Sequence, residues 1–325
     1  MVQAYGGPIV NYQAPAESSS PRAAREPLPA LRAFQWLHSF SGLVRQTQTI
    51  AIESGSSDES ESEESGDVAE IRNEVEDPRL LILQSLRGPR FGDAVHKVFE
   101  HVQPGRVWPE QRVLLTKQLA AQAVRVRDTL AADPIELVGR MVDRVREADL
   151  GDGLRLADLT NDTRVIEFEF QFPVQHVSLA RLRALCAMHG CASVVPSNLQ
   201  AATLNGMLTG FVDLIFIHAG RYHVLDYKTN RLGERLSDYG PAALNAAMSA
   251  HHYDLQALLY TVALHRYLAQ RLDGYTPETH LGESWYLFLR AVGLQSGLGV
   301  WRRQWPSALI RALDDAFAGI HGAAA

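Results

Sequence analysis

Alternation of apolar and polar residues predicts one strand clearly, between Val165 and Val174. The large apolar residues of this run recur at every second position and so share one strand face; they are Ile166, Phe168, Phe170 and Phe172. Two shorter apolar runs, 214–217 and 222–225, flank Ala219-Gly220 and predict a β-hairpin over about 207–228. A further strand is predicted at Trp285–Leu289.

Apolar residues spaced three and four apart predict helices around these strands. The predicted helices cover 91–101, 110–131, 134–148, 178–189 and 307–319, together with one long helix from Pro241 to about Leu272. This order predicts an α/β fold: a small mixed central sheet flanked by helices, with a helical N-terminal part. No internal repeat is present in the sequence.

Composition separates an N-terminal segment from the rest of the chain. Residues 1–30 are rich in Pro, Ser, Ala and Gly, and residues 53–67 contain seven acids, no basic residue and otherwise only Ser and Gly. Such sequence buries too little apolar surface to offset chain entropy. Residues 1–76 are therefore expected to be largely disordered, with 53–67 as an acidic linker, and 77–325 to form the folded domain.

Charge and cysteine content exclude several classes of protein. The net charge is −6 and the acidic run supplies −7, so the remainder is close to neutral, which is compatible with a basic face for nucleic acid. No apolar run is long enough to span a bilayer, and we expect a cytoplasmic protein without a membrane partner. The two cysteines, Cys186 and Cys191, are too few for an iron–sulfur cluster and are expected to be packing residues. The absence of a Gly-x-x-x-x-Gly-Lys-Ser/Thr motif argues against ATP binding.

Charged residues inside the hairpin are the main chemical signal. If the hairpin turns at Ala219-Gly220, Asp213 lies directly opposite Asp226, and both side chains point to one face. Lys228 returns to that face two residues later, and the backbone carbonyl of Tyr227 stays beside the acids. Two carboxylates and a carbonyl suit Mg²⁺, which prefers oxygen ligands. The plain alternative is a cross-strand Asp–Lys ion pair with a second Asp nearby.

The residues around this set resemble the nuclease domain of the RecB family, within the PD-(D/E)xK, restriction-endonuclease-like superfamily. The resemblance covers roughly residues 30–320 and is most specific through 206–268. The segments that carry it are Gly206–Asp213, Gly220–Asn230, Ala250–Gln256, Tyr260–Leu268, Tyr286–Arg290, the Gly-x-x-x-His element Gly92–His96, and Trp36–Val44. Val212 stands where the motif has proline, a departure that this subgroup shares.

The resemblance implies a role for each matching residue. His96, Asp213, Asp226 and the Tyr227 carbonyl would be metal ligands, and Lys228 the catalytic lysine. An accessory acid of the family falls at Glu167 or Glu169, with Glu167 slightly favoured, and the family's Gln-x-x-x-Tyr element falls at Gln256 and Tyr260. That element is expected to buttress the site or to contact DNA.

For several of these residues a plainer interpretation stays open. Lone helical histidines such as His96 are commonly core or capping groups. Glu167 and Glu169 could lie on a solvated strand face. Gln256 and Tyr260 are four residues apart, so they share a helix face and could serve helix packing alone.

The implied function is Mg²⁺-dependent, ATP-independent hydrolysis of DNA, mainly single-stranded, in double-strand break repair, recombination and DNA degradation. The helicase domains that precede the nuclease in RecB are absent from these 325 residues. The resemblance therefore suggests a detached or split-gene nuclease portion, with RecC- and RecD-like subunits or a separate helicase chain as partners. The alternatives are a catalytically silent docking subunit, for which a broken acid–lysine set would be expected, and a cluster-bearing exonuclease, which the cysteine count disfavours.

Overall fold

The structure is a computed structural model that describes residues 36–39, 75–122, 124, 133–196 and 203–320. The acidic run 53–67 and most of the predicted N-terminal segment lie outside the described residues. None of the helices in the described part is long and apolar enough to cross a membrane.

A sheet with helices on both faces forms the fold. Its strands are β1 (Trp36–Ser39), β2 (Arg164–Ser178), β3 (Thr203–His218), β4 (Arg221–Lys228), β5 (Leu281–Phe288) and β6 (Val300–Arg303). The α-helices are α1 (Pro78–Leu81), α2 (Pro89–His101), α3 (Arg112–Ala121), α4 (Pro134–Glu147), α5 (Leu179–Met188), α6 (Pro241–Ala250), α7 (Tyr253–Arg271), α8 (Pro277–His280) and α9 (Ser307–Phe317). Proline occupies the first turn of several helices, where its missing N–H costs no hydrogen bond.

Strand pairing makes the sheet mixed, as predicted. The central strand β3 pairs along one edge with antiparallel β2. Its other edge pairs with parallel β1 at residues 206–209 and with antiparallel β4 at residues 214–218. β4 continues to parallel β5, and β5 to antiparallel β6. The register therefore leaves residues 210–213 of β3 without a strand partner on this second edge, within the described ranges.

The predicted hairpin register is confirmed, but its ladder stops one pair short of the acids. The pairs run from His218↔Arg221 to Leu214↔Leu225 around the Ala219-Gly220 turn. Asp213 and Asp226 would be the next pair, and the structure does not pair them. The strands diverge there, which opens a gap between β3 and β4.

Two hydrophobic cores lie on opposite sides of the sheet. The first core packs α5, α6, α7 and α9 against residues such as Phe170, Val212 and Tyr286. The second core packs α2, α3 and α4 against residues such as Leu214 and Tyr227. Residues of α2 and α7 thus approach the diverging strands from opposite faces.

The prediction that β2 has a single apolar face is wrong for the first residues of the strand. Ile166 packs against the second core, whereas Phe168 packs against the first core. The reversal occurs at Glu167, whose positive φ of 50° interrupts normal strand alternation. β3 reverses at the same level, because Val212 joins the first core and Leu214 the second. The flanking pairs Ile166↔Leu214 and Phe168↔Val212 place Glu167 and Asp213 together at this reversal.

The predicted long helix 241–272 is also wrong as a single element. It is divided into α6 and α7 by His251 and His252, and His252 adopts a left-handed conformation with φ of 57°. A left-handed residue redirects the chain and ends the hydrogen-bonding series of the first helix. This break lets α7 begin at Tyr253, whose ring contacts Lys228 of the hairpin.

The remaining predicted elements are present with shifted ends. The helix predicted at 110–131 is observed as a 3₁₀ turn at Trp108–Gln111 followed by α3, and residues 125–132 lie outside the described ranges. β1 and β6, with four residues each, were not predicted. Cys186 and Cys191 are buried free thiols in the first core, as expected of packing residues.

Candidate active site

Asp213 lies in the gap where β3 and β4 diverge. Its Oδ2 accepts a hydrogen bond of 2.8 Å from the backbone N–H of Tyr227, so the side chain replaces a backbone partner that the ladder no longer supplies. In an extended strand the N–H and C=O of one residue point to the same side. The Tyr227 carbonyl therefore faces the gap that contains Asp213.

His96 approaches this gap from α2. Its Nδ1 lies 3.2 Å from Asp213 Oδ2, and its ring stands edge-on to that of Tyr227. Burial alone would lower the pKa of His96, but the neighbouring Asp213 carboxylate raises it to about 9. Conversely, burial would raise the pKa of Asp213, and the His96 charge and hydrogen bond hold it below its ordinary value. The two groups therefore form an ion pair at neutral pH.

Asp226 and Lys228 form a second ion pair on the α7 side of the sheet. Lys228 Nζ lies 2.8 Å from Asp226 Oδ2, and the Asp226 side chain is almost fully buried. Burial raises the pKa of Asp226 to about 6; Lys228 opposes this rise and the Asp213 charge adds to it. Burial would lower the pKa of Lys228, yet Asp226 raises it above its ordinary value, so the ammonium stays charged.

Gln256 connects Lys228 to α7. Its Oε1 accepts hydrogen bonds from Lys228 Nζ at 3.3 Å and from the Tyr286 hydroxyl at 2.9 Å, while its Nε2 donates to the Tyr260 hydroxyl at 3.1 Å. Gln256 and Tyr260 of the Gln-x-x-x-Tyr element are thus in direct contact, and Gln256 also contacts the lysine. The structure adds Tyr253 and Tyr286, which sequence reasoning missed. Their rings flank the lysine, and only the break before α7 and the β4–β5 register bring them there.

The two candidate accessory acids occupy different environments. Glu167 shares the cross-strand level of Asp213, and its pKa is raised by burial, with Lys97 opposing and the Asp213 charge adding to the rise. Glu169 pairs with Phe211 and is exposed. A positive φ in a non-glycine residue costs about 1–2 kcal/mol, and such strain commonly occurs at functional sites. The structure brings Glu167 towards the acids and leaves Glu169 in solvent.

The donor set fits a hard divalent cation chemically, although the cage is not preformed. In the described part of the chain, no group of three or more His, Cys, Asp and Glu side chains is arranged to hold a metal ion. Asp213 is paired with His96, and Asp226 with Lys228. Among the described residues, the 2.8 Å ion pair with Lys228 Nζ is the one polar contact of the buried Asp226 Oδ2. A buried carboxylate close enough to feel the charge of Asp213 provides the kind of oxygen ligand that Mg²⁺ prefers.

Comparison with known proteins agrees with this geometry. The PD-(D/E)XK nuclease superfamily model matches residues 73–322. The RecBCD enzyme subunit RecB of Escherichia coli K12 is 35% identical over 262 residues, which cover 78% of this chain and 21% of that protein. The same subunit of Mycolicibacterium smegmatis is 30% identical over 341 residues, covering 89% of this chain and 30% of that protein. The chain thus spans less than a third of the length of the curated relatives it matches.

Proposed function

Because the chain belongs to the PD-(D/E)XK nuclease superfamily, we propose that it is a Mg²⁺-dependent, ATP-independent deoxyribonuclease with a preference for single-stranded DNA. One observation carries this proposal. Asp213, Asp226 and Lys228 come together at the strand divergence, where His96 pairs with Asp213 and Lys228 pairs with the buried Asp226. The alternative of an isolated Asp–Lys pair does not account for the ion pair between His96 and Asp213.

Each residue of the site would have a distinct role in phosphodiester hydrolysis. Asp213, Asp226 and the Tyr227 carbonyl would hold Mg²⁺, with His96 as a further ligand after loss of its proton. When bound, Mg²⁺ supplies Lewis acidity and lowers the pKa of a coordinated water. Lys228 would orient the attacking water and offset negative charge that develops on the phosphate, as a preorganised cation does. Gln256 and Tyr260 would hold the lysine in place.

We propose a role in double-strand break repair, recombination and DNA degradation, with single strands delivered by another protein. Support comes from the RecB relatives, which are subunits of the RecBCD enzyme. RecC- and RecD-like subunits or a separate helicase chain are the partners that this implies.

The first expected result is cleavage of single-stranded DNA by the full-length protein in Mg²⁺ without ATP, several times faster than cleavage of blunt duplex DNA. EDTA is expected to abolish it, because the carboxylates act through the metal. The measurement is product release from end-labelled oligonucleotides, with Ca²⁺ as a hard-cation control. Equal rates in Mg²⁺ and EDTA would contradict the metal site, and a folded but inactive protein would favour a docking role.

Glu167 and Glu169 provide a matched pair for the accessory position. Glu167→Gln is expected to slow cleavage about tenfold, the size of effect typical of groups that support a metal site. Glu169→Gln is expected to change the rate less than about twofold, because Glu169 is exposed. Initial rates at saturating Mg²⁺ test both variants, with thermal unfolding as the check on folding. A larger effect of Glu169→Gln would reverse the assignment.

A further inference from the structure

The ammonium group of Lys228 is flanked by two aromatic rings. Its Nζ lies 4.0 Å from the ring centroid of Tyr253 and 5.4 Å from that of Tyr286, and the two rings stack on each other at 6.0 Å. We propose that Tyr253 and Tyr286 are positioning residues that hold the Lys228 ammonium at the strand divergence through their ring faces. This inference rests on the proposed function for its catalytic consequence.

Three elements bring the rings to the lysine. Tyr286 lies in β5 opposite Asp226, so its side chain shares the face that carries Asp226 and Lys228. Tyr253 is the first residue of α7, placed there by the left-handed turn at His252. Both rings are buried, and their hydroxyls are anchored: Tyr253 donates to Asn230 Oδ1 at 3.2 Å and Tyr286 to Gln256 Oε1 at 2.9 Å.

The rings supply a kind of attraction that the acid alone does not. A lysine side chain is flexible, and a cation over an aromatic face is attracted by the ring quadrupole. If Asp226 holds a metal ion, its attraction for the ammonium weakens, whereas the rings keep theirs. A ring face also attracts charge without providing a carboxylate acceptor, so the ammonium remains able to donate to water or to a phosphate oxygen.

The contact can be observed directly in the metal-free protein. The full sequence has only three lysines, Lys97, Lys117 and Lys228, so lysine labelled with ¹³C at the ε carbon gives a spectrum of three side-chain signals. A Lys228→Met sample identifies the signal of Lys228. In the wild type this signal is expected upfield of the other two, because the ε carbon is bonded to the Nζ that lies 4.0 Å from the Tyr253 ring centroid.

Two replacements at position 253 separate the ring from the hydroxyl. Tyr253→Phe keeps the ring face and is expected to retain both the upfield signal and a rate within about twofold of the wild type. Tyr253→Leu removes the ring and is expected to lose the upfield shift and to lower kcat about tenfold with little change in KM. Tyr253→Met repeats the test with another non-aromatic side chain if the leucine protein is unstable.

The outcomes distinguish this inference from the proposed function. An unshifted Lys228 signal in the wild type, or an upfield signal that survives in Tyr253→Leu and Tyr253→Met, overturns the inference whatever the activity. Loss of the shift without loss of kcat also overturns it. An upfield signal that depends on the ring, in a protein that cleaves no DNA, supports the placement of the lysine and contradicts only the nuclease proposal.

Discussion

Replacing Asp226 by asparagine is expected to reduce cleavage of single-stranded DNA by at least about 10²-fold. Asn keeps the shape of the side chain but removes the negative charge that attracts a dication, and that charge is buried beside Lys228. Mg²⁺ affinity, measured by calorimetric titration, is expected to fall in parallel. The rate loss is therefore expected to be partly recovered at high Mg²⁺.

Asp254→Asn is the matched control for this variant. Asp254 is also a buried aspartate, and burial likewise raises its pKa to about 6, but it lies in α7 outside the acid–lysine set. Its replacement is expected to leave Mg²⁺ affinity unchanged and cleavage within about threefold. Undiminished cleavage and Mg²⁺ binding by the Asp226→Asn protein would remove the basis of the site assignment.

Replacing Lys228 by methionine is expected to lower the cleavage rate by about 10²–10³-fold, the cost of removing one preorganised group that stabilises the transition state. Mg²⁺ affinity is expected to stay the same or to increase. The reason is that the ammonium lies 2.8 Å from Asp226 Oδ2 and competes with a dication for the carboxylate. Single-turnover cleavage and calorimetry measure the two quantities separately.

Opposite effects on metal binding therefore distinguish Asp226 from Lys228, although both variants lose activity. Lys117→Met is the control, because Lys117 is exposed on α3 and is expected to change neither quantity. A Lys228→Met protein that loses Mg²⁺ binding as fully as Asp226→Asn would indicate that the lysine maintains the structure of the site and has no separate chemical role.

The hairpin shows how much of the site can be predicted from sequence. A tight turn at Ala219-Gly220 sets the register, because in an antiparallel pair one turn position determines all later pairs. That register is observed from His218↔Arg221 to Leu214↔Leu225. It correctly predicts that Asp226 and Lys228 are close, since strand alternation returns side chains to one face every second residue.

The position of Asp213 could not be obtained in this way. Alternation assumes a regular ladder, and the ladder ends at Leu214, so the carboxylate turns into the gap and caps the Tyr227 N–H. The positive φ of Glu167 reverses β2 at the same level. Neither reversal could be predicted from the sequence, because no glycine stands at Glu167 or Asp213 to indicate an irregular backbone. At both positions the residues before and after the reversal pack into different cores.

The contacts that the helices make with the site could not be predicted from periodicity either. Periodicity indicates that α2 and α7 are helices, but His96 meets Asp213 across 117 positions of sequence only because the second core packs α2 beside the hairpin. The sequence gives no signal for the break at His252, because the residues on both sides of it have an apolar, helical pattern. It nevertheless decides that Tyr253 and Gln256 reach Lys228.

By itself, the sequence determined which segments form helices and strands, the register of the central hairpin and the resemblance to a nuclease family. It also determined that two acids and a lysine lie on the two strands of one hairpin. These features follow from local spacing, which backbone geometry converts directly into structure. Tertiary structure decided where the strands separate, which carboxylate pairs with which cation, and which aromatic rings contact the lysine. Those features follow from the packing of elements that are distant in sequence. Burial and charge pairing there depend on each other, so they cannot be predicted from local spacing.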